Sequence, residues 1–200
     1  MSEPWLVAGL GNPGERYAAT RHNLGRMVVD VLCERFGVRR RKARFLALEV
    51  AEASTAPSHG AAEVRLLLAA SLAFMNESGP SYASFAGKRG IPAGRVIACH
   101  DELDLPFGAL KIKMGGSTAG HNGLDSLVRA LRSPDFFRVR MGIGRPPGRQ
   151  DPADFVLQPF AAREREDAAI MVEDAADAVV SLVTDGLEAA QARFNRTPKA

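Results

Sequence analysis

The stretch Trp5-Leu6-Val7-Ala8-Gly9-Leu10, followed by Gly11-Asn12-Pro13-Gly14, decides the fold. A short apolar run that ends in turn-forming residues predicts a buried strand leading into a tight turn. Apolar side chains then recur at helical spacing, and the glycine at position 37 is placed to end that helix. The repeating residues are Leu24, Met27, Val28, Val31, Leu32 and Phe36. The chain therefore begins with a strand, a turn and a helix, and His22 lies at the entrance of the helix.

Strands and helices continue to alternate along the rest of the chain. Predicted strands cover residues 45–53, 63–69, 95–99, 109–114 and 136–143, and predicted helices cover residues 76–89, 124–131, 164–182 and 187–194. The segment 54–62, rich in Ser, Ala, Pro and Gly, suits a long hairpin loop with a solvent-facing His59. No linker or internal repeat interrupts the alternation, so we predict one domain over residues 1–194 and a flexible tail over residues 195–200. The expected fold class is an α/β/α sandwich in which helices flank a mixed, mostly parallel, twisted sheet.

The composition fits one compact, cytoplasmic domain. Two hundred residues with 46% hydrophobic and 24% charged side chains can bury a substantial core. No apolar run approaches the roughly 18 residues of a membrane span, and the first residues lack the pattern of a secretory signal. Cys33 and Cys99 lie in apolar segments without metal-ligand spacing, which favours buried, reduced thiols and disfavours a zinc site. The net charge of +3 and a pI near 9.1 favour a small nucleic-acid footprint.

The first turn matches the GxGxxG string of dinucleotide-binding loops, but its context differs. In such a loop a helix begins at once and donates backbone N–H groups to phosphate, whereas Pro13 has no N–H and the helical pattern begins near Leu24. The acidic residue expected at the end of a second strand is missing, because Asp30 falls inside the helix. The string therefore gives little support for a dinucleotide cofactor.

Polar side chains stand at the edges of several predicted apolar elements, where loops could meet at one end of a sheet. They are Asn12, His22, Asn76, Asp101 and Asn122. A carboxylate bonded to one imidazole nitrogen makes the other nitrogen more basic, so Asp101 could make His22 a general base. No GxSxG elbow or reactive-cysteine pattern accompanies the pair, which favours an activated water over a covalent intermediate. The alternative is a helix cap at His22 and ordinary turn formers at the asparagines.

Two pairs of basic residues have the spacing of strand neighbours. Lys111 and Lys113 share one face of a predicted strand, and Arg138 and Arg140 share one face of another. They could hold phosphates of a helical stem, or they could be ordinary solvated strand faces. The separate basic run at residues 39–42 predicts a solvated loop, with nonspecific RNA contact as the alternative.

Six motifs occur in one order across most of the chain: VAGLGNPGERYAATRHNLG, FMNESG, HDELDLPFG, AGHNGL, FRVRMGIGRP and DFVL. In this combination the chain resembles the bacterial peptidyl-tRNA hydrolases. The resemblance implies a monomeric α/β enzyme, without a metal or organic cofactor, that cleaves the ester joining a peptide to the 3′-terminal ribose of tRNA. The implied partner is peptidyl-tRNA, bound through its acceptor stem and 3′ end, and no membrane is involved.

The resemblance also implies roles for individual residues. His22 in TRHN corresponds to the catalytic base, Asp101 in HDELD to the acid that keeps it basic, and Asn12 in GLGNPG to the residue that distinguishes blocked from free aminoacyl ends. His121 is implied only as a secondary contact. The substrate-binding positions correspond to Tyr17, Phe74, Asn76 and Asn122, and the tRNA-binding positions to Lys111, Lys113 and Arg140.

Two segments depart from the family pattern, and two other functions stay open. Residues 69–73 stand where the family commonly has a proline ahead of the Met-Asn pair, and residues 115–120 replace a more glycine-rich loop before Asn122.

One alternative function is that of a non-hydrolytic RNA-binding relative, against which the intact His22, Asp101 and Asn12 argue. The other is a nicotinamide-dependent oxidoreductase built on residues 9–14.

Overall fold

A computed structural model describes residues 3–56 and 63–196 of the chain. The strands are β1 (Trp5–Gly9), β2 (Arg41–Lys42), β3 (Leu48–Thr55), β4 (Val64–Ser71), β5 (Val96–Glu102), β6 (Leu110–Met114) and β7 (Phe137–Gly142). The α-helices are α1 (Leu24–Arg35), α2 (Gly79–Lys88), α3 (Asn122–Leu131), α4 (Pro152–Val156), α5 (Arg165–Asp185) and α6 (Leu187–Phe194). Short 3-10 turns cover Glu15–Tyr17, Arg21–Asn23, Met75–Glu77, Ala93–Arg95 and Ala162–Glu164.

The seven strands form one mixed sheet in the order β2-β3-β4-β1-β5-β7-β6. The four central strands β4, β1, β5 and β7 are parallel to their neighbours in that set. β3 runs antiparallel to β4, and β6 runs antiparallel to β7. The predicted fold class, a mixed and mostly parallel sheet in a single α/β domain, is confirmed.

Each face of the sheet carries its own apolar core. Val7, Ile97 and Val139 point to the side covered by α1, α5 and α6, while Leu6 and Ala98 point to the side covered by α2 and α3. This alternation follows from the two-residue period of a strand, and it explains why the central strands are apolar throughout. The result is a helical layer on both faces of the sheet.

Close packing at two points fixes the strand ends that will matter for function. A Cβ added at Gly25 of α1 would lie 1.9 Å from the carbonyl oxygen of Cys99, so only glycine lets α1 lie this close to β5. On the opposite face, the buried Tyr82 hydroxyl donates to the Gly9 oxygen at 2.8 Å and accepts from the Ser71 nitrogen at 3.0 Å. These contacts hold the carboxyl ends of β1, β4 and β5 in one place.

The structure differs from the predicted elements in its shortest segments and at the ends of two strands, since β3 begins at Leu48 rather than at residue 45 and β5 continues to Glu102 rather than ending at residue 99. The short elements β2 and α4 were not predicted, because two and five residues are too few to show a period. In the basic run, residues 41–42 form β2, and Arg40 is half-buried in an ion pair with Asp30, so the run is not a solvated loop throughout. β3 and β4 pair antiparallel, as a hairpin requires, but Ser54 and Thr55 of the predicted loop belong to β3. Residues 57–62, with His59, lie outside the described residues.

The C-terminal end is longer than predicted. The Asn195 side chain accepts a hydrogen bond from the Ile112 nitrogen at 2.7 Å, and Arg196 exchanges backbone hydrogen bonds with Leu110. The ordered chain thus extends at least two residues past the predicted boundary, and residues 197–200 of the predicted tail lie outside the described part.

Cys33 and Cys99 are buried free thiols, as predicted. Within the described ranges, no helix is both long and apolar enough to cross a membrane.

Candidate active site

The site forms where β1 and β5, parallel neighbours at the centre of the sheet, end at the same edge. β1 leads into the turn that carries Asn12, and β5 carries Asp101 near its carboxyl end. The side chain of Asn23, at the start of α1, bonds to the backbone of Asn12 on both sides: Oδ1 accepts from the nitrogen at 2.8 Å and Nδ2 donates to the oxygen at 3.0 Å. This pairing attaches the first turn to the helix entrance that carries His22. Crevices at such strand ends are where open α/β sheets bind ligands.

His22 and Asp101 are in direct contact. Nδ1 of His22 lies 3.0 Å from Oδ1 and 3.1 Å from Oδ2 of the Asp101 carboxylate, and both side chains are buried. The carboxylate accepts a hydrogen bond from the N–H at Nδ1. In this tautomer, Nε2 of His22 carries no proton and has a free lone pair. The pair therefore has the arrangement of a general base and its orienting acid.

His121 is a second imidazole on the same carboxylate, and its tautomer follows from its other contacts. Its Nδ1 accepts from the backbone nitrogens of Gly123 at 3.1 Å and Leu124 at 3.3 Å, as the N-cap of α3. The proton must therefore be on Nε2, which donates to Oδ1 of Asp101 at 3.0 Å. His121, implied by the resemblance only as a secondary contact, is thus a structural partner of the pair.

The electrostatics of the pair favour an ionised acid and a strong base. Burial lowers the pKa of His22, but the charge of Asp101 and its hydrogen bond outweigh burial, so the pKa of His22 is raised above its ordinary value. For Asp101, burial raises the pKa, while the contacts with His22 and His121 lower it far below the ordinary range. Asp101 is therefore a carboxylate throughout the neutral range, and His22 is primed to accept a proton.

A third histidine lies beneath the pair and plays a different part. His100 is fully buried, its Nδ1 donates to the backbone oxygen of Asp101 at 2.7 Å, and its ring lies 5.0 Å from that of His121. Its Nε2 has no hydrogen-bond partner within the described residues. Burial, followed by the neighbouring His121, lowers the pKa of His100 well below the ordinary value. His100 therefore stays neutral and cannot share the proton that His22 takes up.

The three side chains His22, Asp101 and His121 could in principle ligate a metal, since their donor atoms lie within 4.8 Å of one another. Both nitrogens of His121 already serve hydrogen bonds, one from the α3 backbone and one to the carboxylate. A metal on Nε2 would move the proton to Nδ1, where it would face two backbone N–H donors. The donor set therefore fits a proton-bearing network better than a metal site.

On the β4 side of the site, the resemblance-implied residues Asn12, Tyr17, Phe74 and Asn76 lie on adjoining turns. Oδ1 of Asn12 accepts from the Met75 nitrogen at 2.9 Å, which ties the first turn to the turn that carries Asn76. The rings of Tyr17 and Phe74 meet edge to face at 6.4 Å between centroids, and Phe74 is 48% exposed. The structure thus gathers all four, with an exposed aromatic surface beside an amide.

The missing proline before Phe74 has a local replacement. Oγ of Ser71 accepts from the Ala73 nitrogen at 3.0 Å and so closes a turn at the end of β4. The Ser71 nitrogen is itself bonded to the Tyr82 hydroxyl at 3.0 Å. These two hydrogen bonds restrict the backbone that leads into Phe74, as a proline would do in the family pattern.

A cleft of about 390 Å³ opens on the other side of the pair. Its floor includes His22, Asp101 and His121, and one wall is the loop of residues 115–120, here called the cleft loop, at Thr118, Ala119 and Gly120. Asn122 lines the cleft beside it and is exposed. The opposite wall comes from α4 and from residues that the sequence analysis missed: Asp104, Arg145, Asp151, Ala153 and Val156. Two signals were available: Asp104, Arg145 and Val156 lie inside three of the quoted motifs, and Asp151-Pro152 has the pattern of an N-cap followed by a proline at the first helical position.

The predicted basic pairs lie opposite each other on β6 and β7, with Lys111 paired to Arg140 and Lys113 to Arg138. Lys111 is exposed and Lys113 is half-buried. Nε and Nη2 of Arg140 both donate to Oε2 of Glu102, at 3.1 and 2.9 Å. Burial and then Arg140 lower the pKa of Lys113. Arg138 differs from the other three, because it is only 1% exposed and cannot present its charge to a ligand in solution.

The glycines of the first turn are explained by packing. A Cβ at Gly9 would lie 2.6 Å from the Gly25 oxygen, and one at Gly11 would lie 3.1 Å from the Asn23 side chain. No α-helix begins at the turn, because α1 starts only at Leu24. The geometry therefore gives no support to a dinucleotide loop.

Comparison with known proteins agrees with this geometry. The family model for peptidyl-tRNA hydrolase matches residues 6–200. The chain is 53% identical to the peptidyl-tRNA hydrolase of Frankia casuarinae over 192 residues, covering 96% of this chain and 94% of the relative. It is 48% identical to that of Streptomyces coelicolor, covering 96% and 95%. The crystal structure of peptidyl-tRNA hydrolase from Acinetobacter baumannii superposes with a TM-score of 0.85 at 32% identity, covering 100% of this chain and 98% of that one. The resemblance seen in the motifs is confirmed, and the chain belongs to the peptidyl-tRNA hydrolase family.

Proposed function

We propose that this protein hydrolyses the ester between a peptide and the 3′-terminal ribose of tRNA, with His22 as the general base. Membership of the family makes the chain a hydrolase acting on peptidyl-tRNA. The observation that carries the assignment of the base is the bond from Nδ1 of His22 to the buried Asp101 carboxylate, which leaves Nε2 as the proton acceptor. The product tRNA becomes available again for translation.

The proposed reaction needs one water molecule and no covalent intermediate. Nε2 of His22 takes a proton from water while the water oxygen attacks the ester carbonyl carbon. The tetrahedral intermediate then collapses, the bond to the ribose oxygen breaks, and the proton held on His22 passes to that oxygen. Asp101 stabilises the imidazolium between the two transfers. General-base assistance of this kind contributes roughly a 10² to 10⁴-fold rate factor.

The residues on the β4 side suit the peptide and the 3′ end. Asn12 is implied in distinguishing blocked from free aminoacyl ends. Its Oδ1 accepts from the Met75 nitrogen, so its Nδ2 would donate to the acyl carbonyl oxygen of a blocked end, whereas a free ammonium there offers no acceptor and would lose solvation. Tyr17 and Phe74 offer an aromatic surface to the substrate, and Asn76 and Asn122 offer amides for its polar groups. We assign these five residues to substrate binding.

The basic residues on β6 and β7 suit a phosphate backbone. Lys111, Lys113 and Arg140 lie on one face of an antiparallel pair at the sheet edge, adjoining the cleft through Glu102. We assign them to the acceptor stem of the tRNA, since phosphate contacts position a nucleic acid without reading its sequence. We further propose that the protein acts as a monomer in the cytoplasm, as the resemblance implies.

The general-base assignment is tested with N-acetylaminoacyl-tRNA as substrate, comparing the wild type with His22→Ala. Unblocked aminoacyl-tRNA serves as the specificity control. We expect the variant to lose about 10² to 10⁴-fold in kcat while its unfolding temperature shows an intact fold. Equal rates for the two proteins would exclude His22 as the base.

The RNA-binding assignment is tested with Lys113→Ala and Arg140→Ala, using Lys88→Ala on α2 as the matched control, because Lys88 is exposed and lies outside the basic face. Each of the first two variants should weaken tRNA binding and reduce the salt dependence by about one counterion. Short ester mimics that lack the stem should still be cleaved. If only Lys88→Ala weakens binding, the stem binds elsewhere.

A further inference from the structure

The cleft loop has a largely left-handed backbone that is unfavourable at one residue, Ala119. Four of its six residues have positive φ: Gly115 at 63°, Gly116 at 97°, Ala119 at 50° and Gly120 at 76°. Ala119 is not a glycine, so its left-handed conformation costs about 1 to 2 kcal/mol. The loop nevertheless must be held in place, because it forms a wall of the cleft and ends at His121.

Arg138 provides the contacts that hold the loop from below. Its guanidinium donates to the backbone oxygen of Ser117 at 2.5 Å and to that of Gly116 at 2.7 Å, and it lies 4.9 Å from the centre of the Phe136 ring. Within residues 3–56 and 63–196, no carboxylate forms an ion pair with it. A buried cation without an acidic partner is costly, so these two carbonyl groups are what makes the burial of Arg138 tolerable. Loss of the loop conformation would leave the charge unsatisfied.

The same guanidinium lies beside the residues assigned to RNA. Lys113 is opposite Arg138 in the β6–β7 register. The Nζ atom of Lys113 also lies against the cleft loop, since a Cβ added at Gly116 would be only 2.6 Å from it. Lys113, Arg138 and Arg140 therefore repel one another, and the nearby Glu102 is bonded to Arg140. An RNA phosphate on Lys113 and Arg140 would offset this repulsion and make the buried charge of Arg138 less costly.

We propose that Arg138 is a positioning residue that fastens the cleft loop against His121, and that RNA phosphate on Lys113 and Arg140 strengthens this attachment. Binding of the stem and assembly of the cleft are then coupled, and the coupling acts in both directions. The part that concerns RNA rests on the proposed function. The attachment of the loop by Arg138 does not, because it follows from contacts within the chain.

The test combines hydrogen exchange with kinetics for the wild type, Arg138→Gln and Arg138→Lys. Arg129→Gln, an exposed arginine on α3, is the matched control. Exchange of the amides of residues 116–121 is measured with and without a short RNA duplex that copies an acceptor stem and carries no ester. Rates are measured on N-acetylaminoacyl-tRNA and on a short ester mimic without a stem.

In the wild type we expect the duplex to slow exchange in the cleft loop. Arg138→Gln should exchange faster without RNA and should gain no protection from it. Its kcat should fall about 10- to 100-fold, as small misplacements of catalytic groups do. KM for the tRNA substrate should rise through the coupling, but by a smaller factor, because Lys113 and Arg140 are retained. Arg138→Lys keeps the charge but loses the forked geometry, so it should recover only part of the kcat.

Three outcomes would overturn the proposal. The first is amide exchange in the cleft loop that is unchanged in both Arg138 variants. The second is a loss of kcat/KM that comes from KM and not from kcat. The third is an effect of Arg129→Gln on exchange and kcat as large as that of Arg138→Gln. If Arg138→Gln does not fold, Arg138→Lys and Lys113→Ala decide the matter, because Lys113→Ala should remove the protection by RNA while Arg138 still holds the loop. Exchange needs no catalysis, so failure of the proposed reaction would be seen separately, in the His22→Ala comparison.

Discussion

Replacing Asp101 by asparagine keeps the shape of the side chain and removes its charge, which makes it the sharpest test of the site. In the wild type, Nδ1 of His22 lies 3.0 Å from Oδ1 and 3.1 Å from Oδ2, and Nε2 of His121 lies 3.0 Å from Oδ1. An amide nitrogen at either oxygen position would bring a donor to the Nδ1–H of His22. The imidazole would relieve this clash by moving its proton to Nε2, where it blocks the base.

The expected loss follows from this change of tautomer. Loss of general-base assistance should lower kcat by about 10² to 10⁴-fold, which corresponds to roughly 3 to 5 kcal/mol in the activation free energy. The pKa of His22 should also change. Burial lowers it and the carboxylate raises it, so removal of the charge leaves burial to dominate and the pKa falls. The acid limb of the pH–rate profile should therefore move to lower pH.

The assay is single-turnover hydrolysis of N-acetylaminoacyl-tRNA from about pH 5 to 9, a range that spans the titration of an imidazole. The matched control is Asp104→Asn, which removes a carboxylate that lines the same cleft but is bonded to Arg145 rather than to an imidazole. The control should keep both its rate and its profile. An Asp101→Asn enzyme with a kcat within tenfold of the wild type, or with an acid limb at higher pH, would refute the reasoning.

Three further predictions concern stability. Since burial lowers the pKa of His100, the folded state binds fewer protons there than the unfolded state, so stability should fall as the pH drops below about 6.5, by up to roughly 1.4 kcal/mol per pH unit. The raised pKa of His22 has the opposite effect on stability, and that effect falls above about pH 6.5. Between about pH 5 and 6.5, the free energy of unfolding measured in urea should therefore depend less steeply on pH in His100→Asn than in the wild type, and equal pH dependence in the two proteins would contradict this. Gly25→Ala should destabilise the fold by about 3 kcal/mol or more, because its Cβ would lie 1.9 Å from the Cys99 oxygen, and a thermal midpoint near that of the wild type would count against the packing argument. Tyr82→Phe removes a hydroxyl that satisfies two buried backbone groups, so denaturant unfolding should show a loss of about 1 to 3 kcal/mol, and no loss would mean that the two groups find other partners.

Local pattern determined much of the fold and the identity of the family. The apolar run of β1 and the helical spacing of α1 set these two elements within a residue or two, because each is long enough to show its own period. The motifs around His22 and Asp101 were sufficient for the family, since their order along the chain is specific in a way that no single string is. Segments of two and five residues, β2 and α4, were missed because a period cannot appear in so few positions.

Only the tertiary structure decided what individual polar side chains do. Arg138 and Arg140 have the same spacing and the same strand face, yet one is buried beneath the cleft loop and the other reaches Glu102 near the cleft. His121 follows the loop in sequence, and nothing in its neighbours revealed that its Nδ1 caps α3 while its Nε2 contacts Asp101, 20 residues away. Periodicity reports which face a residue occupies, because it arises from the local backbone geometry. Burial and hydrogen-bond partners depend on the other elements that pack there, so they become known only when the chain is folded.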